Sequence, residues 1–461
     1  MSVRPLPAPS PSPAPAPAPQ PARDRTATQL STRFAEVRAH TERLAAPLSG
    51  EDQTVQSMPD VSPTKWHRAH VTWFFETFVL AGNEPGFEPY EDTYWFLFNS
   101  YYEGVGPRYA RAERGNISRP GAHEVGRYRA NVDERVRTVL EQLDDGTLDR
   151  LAPTIELGFH HEQQHQELLL MDIKHVLSRN PLRPAYLHAP LPSGAEATPM
   201  CWVEVEGGVV EVGHDGDGFC FDNELPRHRA YLEPYRLADR LVTNGEWLAF
   251  MADGGYRRHE LWLSDGWARV QAECWRAPLY WEEVDGTWFE HTLHGTWPVD
   301  PDLPACHVSH FEADAFATWA GHRLPTEAEW EHAASLHGPA ARRHDRATGA
   351  PEAGMTLHPR AAAGTSAGTG AGAGLRQLLT DCWEWTSSAY LGYPGFHPPQ
   401  GAIGEYNGKF MSGQMVLRGG SALTPGTHAR LTYRNFFPPG ARWALSGVRL
   451  ADGPAPARTA S

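Results

Sequence analysis

Residues 181–199 divide this chain into two halves that cannot share one architecture. The stretch carries Pro181, Pro184, Pro190, Pro192 and Pro199. Proline has no amide donor and its ring clashes with a preceding helical turn, so no helix crosses this segment. Before it, from about Thr28 to Asn180, apolar residues recur at helical spacing. After it the chain turns to short alternating runs, glycine turns and tryptophan-rich loops.

The first half predicts four helices. Thr32 to Ala46 is the first, stopped by Pro47. Ser62-Pro63 predicts a second start, with Ser62 as N-cap and Pro63 in the first turn. Trp66, His70, Trp73, Phe74 and Thr77 then lie on one face. A third helix runs from Gly126 to Asp144. A fourth starts near Pro153, continues past Val176 and ends before Pro181. Four helices with connecting loops predict an antiparallel bundle, a form whose metal sites are built from inward-facing side chains.

In the second half, Trp202–Val205 and Val209–Val212 alternate around Gly207-Gly208, a hairpin signal. Helical pieces are expected at 243–253, 309–320 and 326–335. The expected organisation is a multi-domain α and α+β chain: a disordered Pro/Ala-rich tail over 1–27, a helical domain over 28–185, a linker over 186–200, an α+β domain over 201–452 and a disordered tail over 453–461. Residues 338–374 are low in complexity and predict a flexible insertion. There is no internal repeat.

Charge narrows the function classes. The net charge of -15 argues against a general nucleic-acid binder, which needs clustered Lys and Arg. The five cysteines (Cys201, Cys220, Cys274, Cys306, Cys382) are scattered, odd in number and without a CxxC pair, so they predict free thiols in a reducing compartment. No run is long and apolar enough for a membrane span, and Met1 to Ala22 lacks the apolar core of a signal peptide. The expectation is a cytoplasmic protein.

The chemistry centres on His161-Glu162-Gln163-Gln164-His165-Gln166-Glu167. Two histidines four residues apart lie on one helix face, one turn above the other, and can share a metal ion. Such a pair is more often mere surface decoration. Against that, Leu157, Leu168 and Leu169 place it near an apolar stripe, where unpartnered imidazoles would cost desolvation. The segment also matches HExxH, the zinc-protease signature. The extended form of that motif fails, because Leu168 and Met171 stand where Gly and His are needed, and the next Glu is Glu196, in the linker. A third histidine from another helix would complete a catalytic site, and His67 and His70 both fit by spacing.

Several stretches, in order through both halves, resemble the ergothioneine-biosynthesis sulfoxide synthases, also called hercynine oxygenases. They are Ser62-Pro63-Thr64-Lys65-Trp66-His67-Arg68-Ala69-His70, Phe98-Asn99-Ser100-Tyr101-Tyr102-Glu103, His161 through Glu167, Gly321 through Glu331, Trp383-Glu384-Trp385-Thr386, Leu417-Arg418-Gly419-Gly420-Ser421, Tyr433 through Pro439, and Gly447-Val448-Arg449. The resemblance implies a DinB-like four-helix bundle followed by a C-type-lectin-like domain of the formylglycine-generating-enzyme type. It implies non-haem Fe(II) held by His70, His161 and His165, with O2 as co-substrate. The substrates it implies are a cysteine-type thiol and hercynine (Nα-trimethylhistidine), joined at C2 of the imidazole to give a sulfoxide.

Other positions follow from the same resemblance. Tyr101 and Tyr102 resemble the family's active-site tyrosine pair, one of which donates a proton; the pair looks more like the branch using free cysteine than the γ-glutamylcysteine branch. Gln164 is expected to hydrogen-bond the hercynine imidazole. Asn435, Phe436 and Phe437 resemble the pocket for the trimethylammonium group, a cation that cannot donate a hydrogen bond and so favours aromatic faces. Arg108 and Arg111 are expected to pair with a substrate carboxylate, with Arg114 and Arg119 close by as alternatives. Cys382 stands where the family more often shows Val and reads as a small buried hydrophobe. The chain has no Cys after Cys382, so the cysteine chemistry of formylglycine-generating enzymes is unsupported. The rival readings are a selenoneine-type synthase with a seleno-sugar donor, a zinc metallopeptidase, and a non-catalytic metal- or thiol-binding module. The oligomeric state is not legible.

Overall fold

The structure, a computed structural model, describes residues 26–191, 196–216, 218–347, 356–362 and 374–453. The tails expected over 1–27 and 453–461 lie almost wholly outside these ranges. The first half holds α1 (Ala27–Ala45), α2 (Thr64–Phe75), a single turn α3 (Tyr94–Leu97), α4 (Ala122–Gln142) and α5 (Asp145–Arg179). α1 packs on α4 and α5, and α2 packs on the same two helices, which makes the four-helix bundle. Its core is aromatic and β-branched: Phe34, Trp73, Phe74, Phe75, Tyr128, Val132, Val136, Ile155 and Phe159 are almost completely buried.

Two local readings are corrected. Pro63, not Ser62, occupies the N-cap position of α2. Ser62 is spent elsewhere: its N–H donates to Asp172 Oδ2 at 2.7 Å and its hydroxyl accepts from Arg114 Nη1 at 2.9 Å. The fourth helix does not start near Pro153. Asp144 caps it by accepting from the Thr147 N–H at 2.9 Å, and Pro153 sits inside a 35-residue helix. The missing donor falls in the early turns of the helix, opposite the carbonyl of Asp149, an exposed residue. α2 also does not end cleanly: it runs into a π-helical turn, Glu76–Leu80, a widening often found beside functional sites.

The second half carries β1 (Trp202–Val205), β2 (Gly208–Val212), β3 (His228–Leu232), β4 (Tyr235–Ala238), α6 (Asn244–Ala252), α7 (Ser264–Glu273), β5 (Trp281–Val284), β6 (Thr287–Thr292), β7 (Gly295–Pro298), α8 (His310–Trp319), α9 (Glu327–Ala347), β8 (Trp383–Ala389), β9 (Met415–Gly419), β10 (Asn435–Phe437), β11 (Ser446–Gly447) and β12 (Ala451–Asp452). The sheets are ordered β1-β4-β12, β10-β9-β8-β11, β2-β3 and β5-β6-β7. The three expected helices are present as α6, α8 and α9; α7 and the β5–β7 meander had no clear pattern in the sequence.

The expected hairpin of β1 with β2 does not form. β1 pairs with β4 and β2 with β3, so the turn at Gly207-Gly208 passes from one sheet to another. A Cβ on Gly207 would lie 2.2 Å from the Leu232 carbonyl oxygen, so only glycine permits this crossing. The insertion expected over 338–374 is also corrected in part. Residues 338–347 continue α9, and Leu357, His358 and Ala362 are buried, with His358 Nε2 3.3 Å from Glu290 Oε1. The remainder, 348–355 and 363–373, lies outside the described residues. The linker is anchored at its start, where the Tyr186 and Leu187 amides donate to the Leu293 carbonyl and the Tyr186 hydroxyl donates to the Leu44 carbonyl.

The two domains are joined through α5. Glu167, buried, accepts from Trp383 Nε1 (2.7 Å), Ser421 Oγ (2.8 Å) and Thr424 Oγ1 (2.7 Å), all on the second domain. Two residues earlier on the same helix stands His165.

Candidate metal centre

Helix α2 presents Trp66, His70 and Trp73 along one stripe, and the His70 ring is sandwiched between the two indoles at 4.7 and 5.6 Å. His70 Nδ1 lies 2.6 Å from the Phe98 carbonyl oxygen. A carbonyl only accepts, so Nδ1 carries the proton and Nε2 presents its lone pair. That Nε2 is 3.1 Å from His161 Nε2. His165, one turn on, completes a group whose ligand nitrogens all lie within 4.8 Å of one another. Gly158 makes the approach of α2 and α5 possible, since a Cβ there would sit 2.7 Å from the Phe75 ring.

His70 and His161 are buried, and His165 is partly exposed. Desolvation pushes all three imidazoles down, His161 to about 3 and the others well below the usual value, with mutual repulsion adding to the effect on His70 and His165. They are therefore neutral at physiological pH, the form that binds metals. Three neutral imidazoles without thiolate or carboxylate suit iron, zinc, copper or nickel rather than calcium or magnesium, and leave coordination positions open. Two nitrogens each about 2.1 Å from one ion and at right angles to each other stand about 3.0 Å apart, so the spacing of His70 and His161 fits shared ligation. His161 Nδ1 is buried without a hydrogen-bond partner among the described residues, with the Phe74 ring 4.8 Å from its own.

Glu162 takes no part. Its carboxylate accepts from Arg38 Nη1 (2.9 Å), Arg129 Nη2 (2.9 Å) and Thr41 Oγ1 (2.6 Å) inside the bundle. Burial alone would raise it, but the two guanidiniums outweigh that and hold it at about 2. The general base that HExxH requires of this residue is thus locked into an ion-pair cluster.

The other expected residues fall into three groups. Tyr101 and Tyr102 stack at 4.6 Å, and Tyr102 packs on Trp73 and Phe78, so the pair sits against the same indole as His70. Asn99 pins this loop through the Tyr102 amide and carbonyl. Gln164 spans two tyrosines of the second domain: its Oε1 accepts from Tyr406 Oη and its Nε2 donates to Tyr433 Oη. On β10, Phe436 stacks on Tyr390 at 4.1 Å and faces Phe410, which in turn meets Tyr101. Phe437 packs on Trp443, and Asn435 Oδ1 accepts from the Phe436 amide. β10 is held by Arg434, whose guanidinium pairs with Glu327 at 2.8 Å.

The arginines are placed differently from one another. Arg108 is exposed, 3.2 Å from Glu103 and bonded to the Ser100 carbonyl; Arg111 is exposed and donates to the Asp60 carbonyl. The guanidinium that reaches an indole of the histidine stripe is Arg114, buried and 3.3 Å from the Trp66 ring, which itself stacks on His70. Tyr406 was not foreseen, and Tyr433, the first residue of its stretch, had been given no role. Tyr406 lies 5.8 Å from the His161 ring, yet it sits in an irregular loop more than 240 residues away with no pattern to mark it. That loop clamps the tyrosine pair: Glu405 accepts from the Glu103 and Gly104 amides at 3.0 and 2.7 Å, and Lys409 donates to the Tyr101 carbonyl.

Comparison with known proteins agrees with this architecture. Residues 33–176 match the DinB superfamily, and residues 189–453 match the sulfatase-modifying factor enzyme 1-like domain. The chain is 34% identical over 441 residues to a hercynine oxygenase of Mycobacterium tuberculosis, covering 92% of this chain and 98% of that one. It is 34% identical to a hercynine oxygenase of Mycolicibacterium thermoresistibile over 92% of this chain and 94% of that one. An ergothioneine biosynthesis protein of Schizosaccharomyces pombe is 28% identical over 50% of this chain and 27% of its own length. With such identity over nearly the whole length of both chains, the protein is an oxygenase-type enzyme and belongs to the hercynine oxygenase family.

Proposed function

We propose that the protein is a non-haem Fe(II)- and O2-dependent sulfoxide synthase of ergothioneine formation. It joins the sulfur of a cysteine-type thiol to C2 of the hercynine imidazole, with free cysteine favoured over γ-glutamylcysteine. In the overall balance hercynine loses the C2 hydrogen, the thiol loses its own, one oxygen atom of O2 enters the sulfoxide and the other leaves as water. The observation that carries the reading is the convergence of three neutral imidazoles from α2 and α5 beside the tyrosine pair.

Fe(II) held by His70, His161 and His165 would supply the redox chemistry for O2 and lower the pKa of a coordinating thiol. The chain supplies the remainder. Burial raises both Tyr101 and Tyr102, so each keeps its phenolic proton at neutral pH and has one to give. Tyr406 and Tyr433 fix the Gln164 amide, which orients the hercynine imidazole. Asn435, Phe436 and Phe437 receive the trimethylammonium group, whose charge is met by aromatic faces. Arg108 and Arg111 are exposed guanidiniums that would exchange their present partners, Glu103 with the Ser100 carbonyl and the Asp60 carbonyl, for a substrate carboxylate. No helix among the described residues is long and apolar enough to cross a membrane, and small molecules in the cytoplasm are the expected partners.

Product mass analysis tests the proposal. Purified protein incubated with Fe(II), O2, hercynine and each candidate donor in turn is expected to form the cysteine-derived sulfoxide. Turnover with γ-glutamylcysteine alone would refute the donor preference. Cysteine-independent turnover with a seleno-sugar would replace the proposal with a selenoneine-type activity.

A further inference from the structure

His67, adjacent in sequence to the ligand helix stripe but not itself one of the three converging histidines, is fully engaged in a directed relay. Its Nε2 lies 3.0 Å from Asp172 Oδ2, and its Nδ1 lies 2.9 Å from His165 Nδ1. Both His67 and Asp172 are buried, 3% exposed each. Asp172 Oδ2 also accepts the Ser62 N–H at 2.7 Å, so the carboxylate is held at both the start of α2 and the middle of α5.

For a neutral His67 ring, hydrogen-bond chemistry directs each bond in this relay. A carboxylate only accepts, so His67 Nε2 carries the hydrogen. In the neutral ring Nδ1 is then a bare acceptor. Among the described residues the group hydrogen-bonded to it is His165 Nδ1, which then donates. His165 is thereby fixed as the Nδ1–H tautomer, with Nε2 left as its lone-pair nitrogen. His70 is fixed in the same tautomer by the Phe98 carbonyl. The two ligands thus have separate orienting partners, one a backbone carbonyl and the other a side-chain pair.

We infer that His67, backed by Asp172, is a positioning residue that sets the tautomer and ring orientation of His165 for metal ligation. This rests on the reading that His70, His161 and His165 hold the metal. Outer partners of this kind raise ligand basicity, and their loss typically costs about 10–100-fold in metal affinity. An asparagine at 67 keeps an acceptor near the Nδ1 position, whereas alanine keeps none.

The test is anaerobic titration of the full chain with Fe(II), and with Co(II) as a spectroscopic probe, in competition with a chelator. His67→Ala is expected to weaken binding about 10–100-fold, and His67→Asn to restore most of the loss. Thermal unfolding of the metal-free proteins separates a folding defect from a ligation defect, because a purely structural role would lower both variants' unfolding temperature and show no asparagine rescue. If His67→Ala does not fold, Asp172→Ala decides, with a several-fold weakening expected. Wild-type affinity in His67→Ala or Asp172→Ala, or equal losses in His67→Ala and His67→Asn, overturns the inference. If wild type binds no metal, or His161→Ala binds as well as wild type, the three-histidine reading itself fails.

Discussion

His161 and Glu162 are neighbours on α5, both almost fully buried, and they have opposite fates. Glu162 meets two guanidiniums and a hydroxyl, and its acceptor capacity is used inside the bundle. His161 meets another imidazole nitrogen at 3.1 Å and leaves its own Nδ1 without a partner among the described residues. A buried polar group left unsatisfied costs stability unless something else compensates it. The contrast separates the two halves of the HExxH string by what they face: helix geometry turns residues 161 and 165 toward α2 and residue 162 toward α1 and α4. A sequence pattern cannot make that distinction, because the two roles alternate within one turn.

Substitutions separate the two regions most sharply. Replacing His70, His161 or His165 with Ala should lower turnover by roughly 10⁴-fold, about 5 kcal/mol of barrier at 1.36 kcal/mol per decade, while the unfolding midpoint of the metal-free protein holds or rises. Steady-state assays beside denaturant melts check this. Glu162→Ala should do the reverse. It strands Arg38 and Arg129 in the bundle and should cost about 4 kcal/mol of stability, with metal affinity per folded molecule unchanged. A stable, inactive Glu162→Ala protein would mean that the carboxylate belongs to the chemistry after all.

Acid sharpens the same comparison. His161 is held at about 3, below its ordinary value of 6.5, so the unfolded chain takes up a proton that the fold refuses as pH drops below 6.5. Glu162 is held at about 2 rather than 4.5, so its contribution is intact above 4.5 and is lost as pH falls toward 2. The Glu162 part is worth about 3 kcal/mol at 1.36 kcal/mol per unit. Metal-free protein melted across pH should lose stability in two stages, and His161→Ala should remove its share of the earlier one only. Among the aromatic residues, Tyr101→Phe and Tyr102→Phe should differ: the one that donates the proton should lose about 100-fold in turnover at unchanged metal affinity, and the other much less.

How much of this was legible in the sequence depends on the range of the interaction. The helices announced themselves because their apolar spacing is local, and His161 with His165 because four residues span one turn. The choice of His70 over His67 came from resemblance, since both fit by spacing; the structure places His67 behind His165 rather than beside it. Pro153 misled because proline was weighed above the cap at Asp144. The β1–β2 hairpin misled because alternation gives strands and not their partners, which are set by β3 and β4. Tyr406 could not be found locally, and neither Arg114, beside Arg108 and Arg111, nor Tyr433, at the head of its stretch, was marked by local pattern: each reaches its place by tertiary packing.

The smallest expected effect tests whether the second domain merely lies on the bundle or completes the site. Glu405 accepts the Glu103 and Gly104 amides and pairs with Lys409 at 2.7 Å, so one carboxylate ties the loop carrying Tyr406 to the loop carrying Tyr101 and Tyr102. Glu405→Ala frees two amides at a partly exposed position where water can replace the lost acceptor, so the global cost should be about 1 kcal/mol. Its local effect should be larger than its global one. The tyrosine loop would lose its tether and turnover should fall several-fold, with metal affinity unchanged because the three histidines belong to α2 and α5 alone. Glu405→Gln, which keeps one carbonyl acceptor, should fall between. Metal titration and turnover measured on the same preparations decide the matter: a parallel loss of both would mean that the histidine cluster depends on the second domain for its own geometry, and that the two regions of α5 are less independent than their separate partners imply.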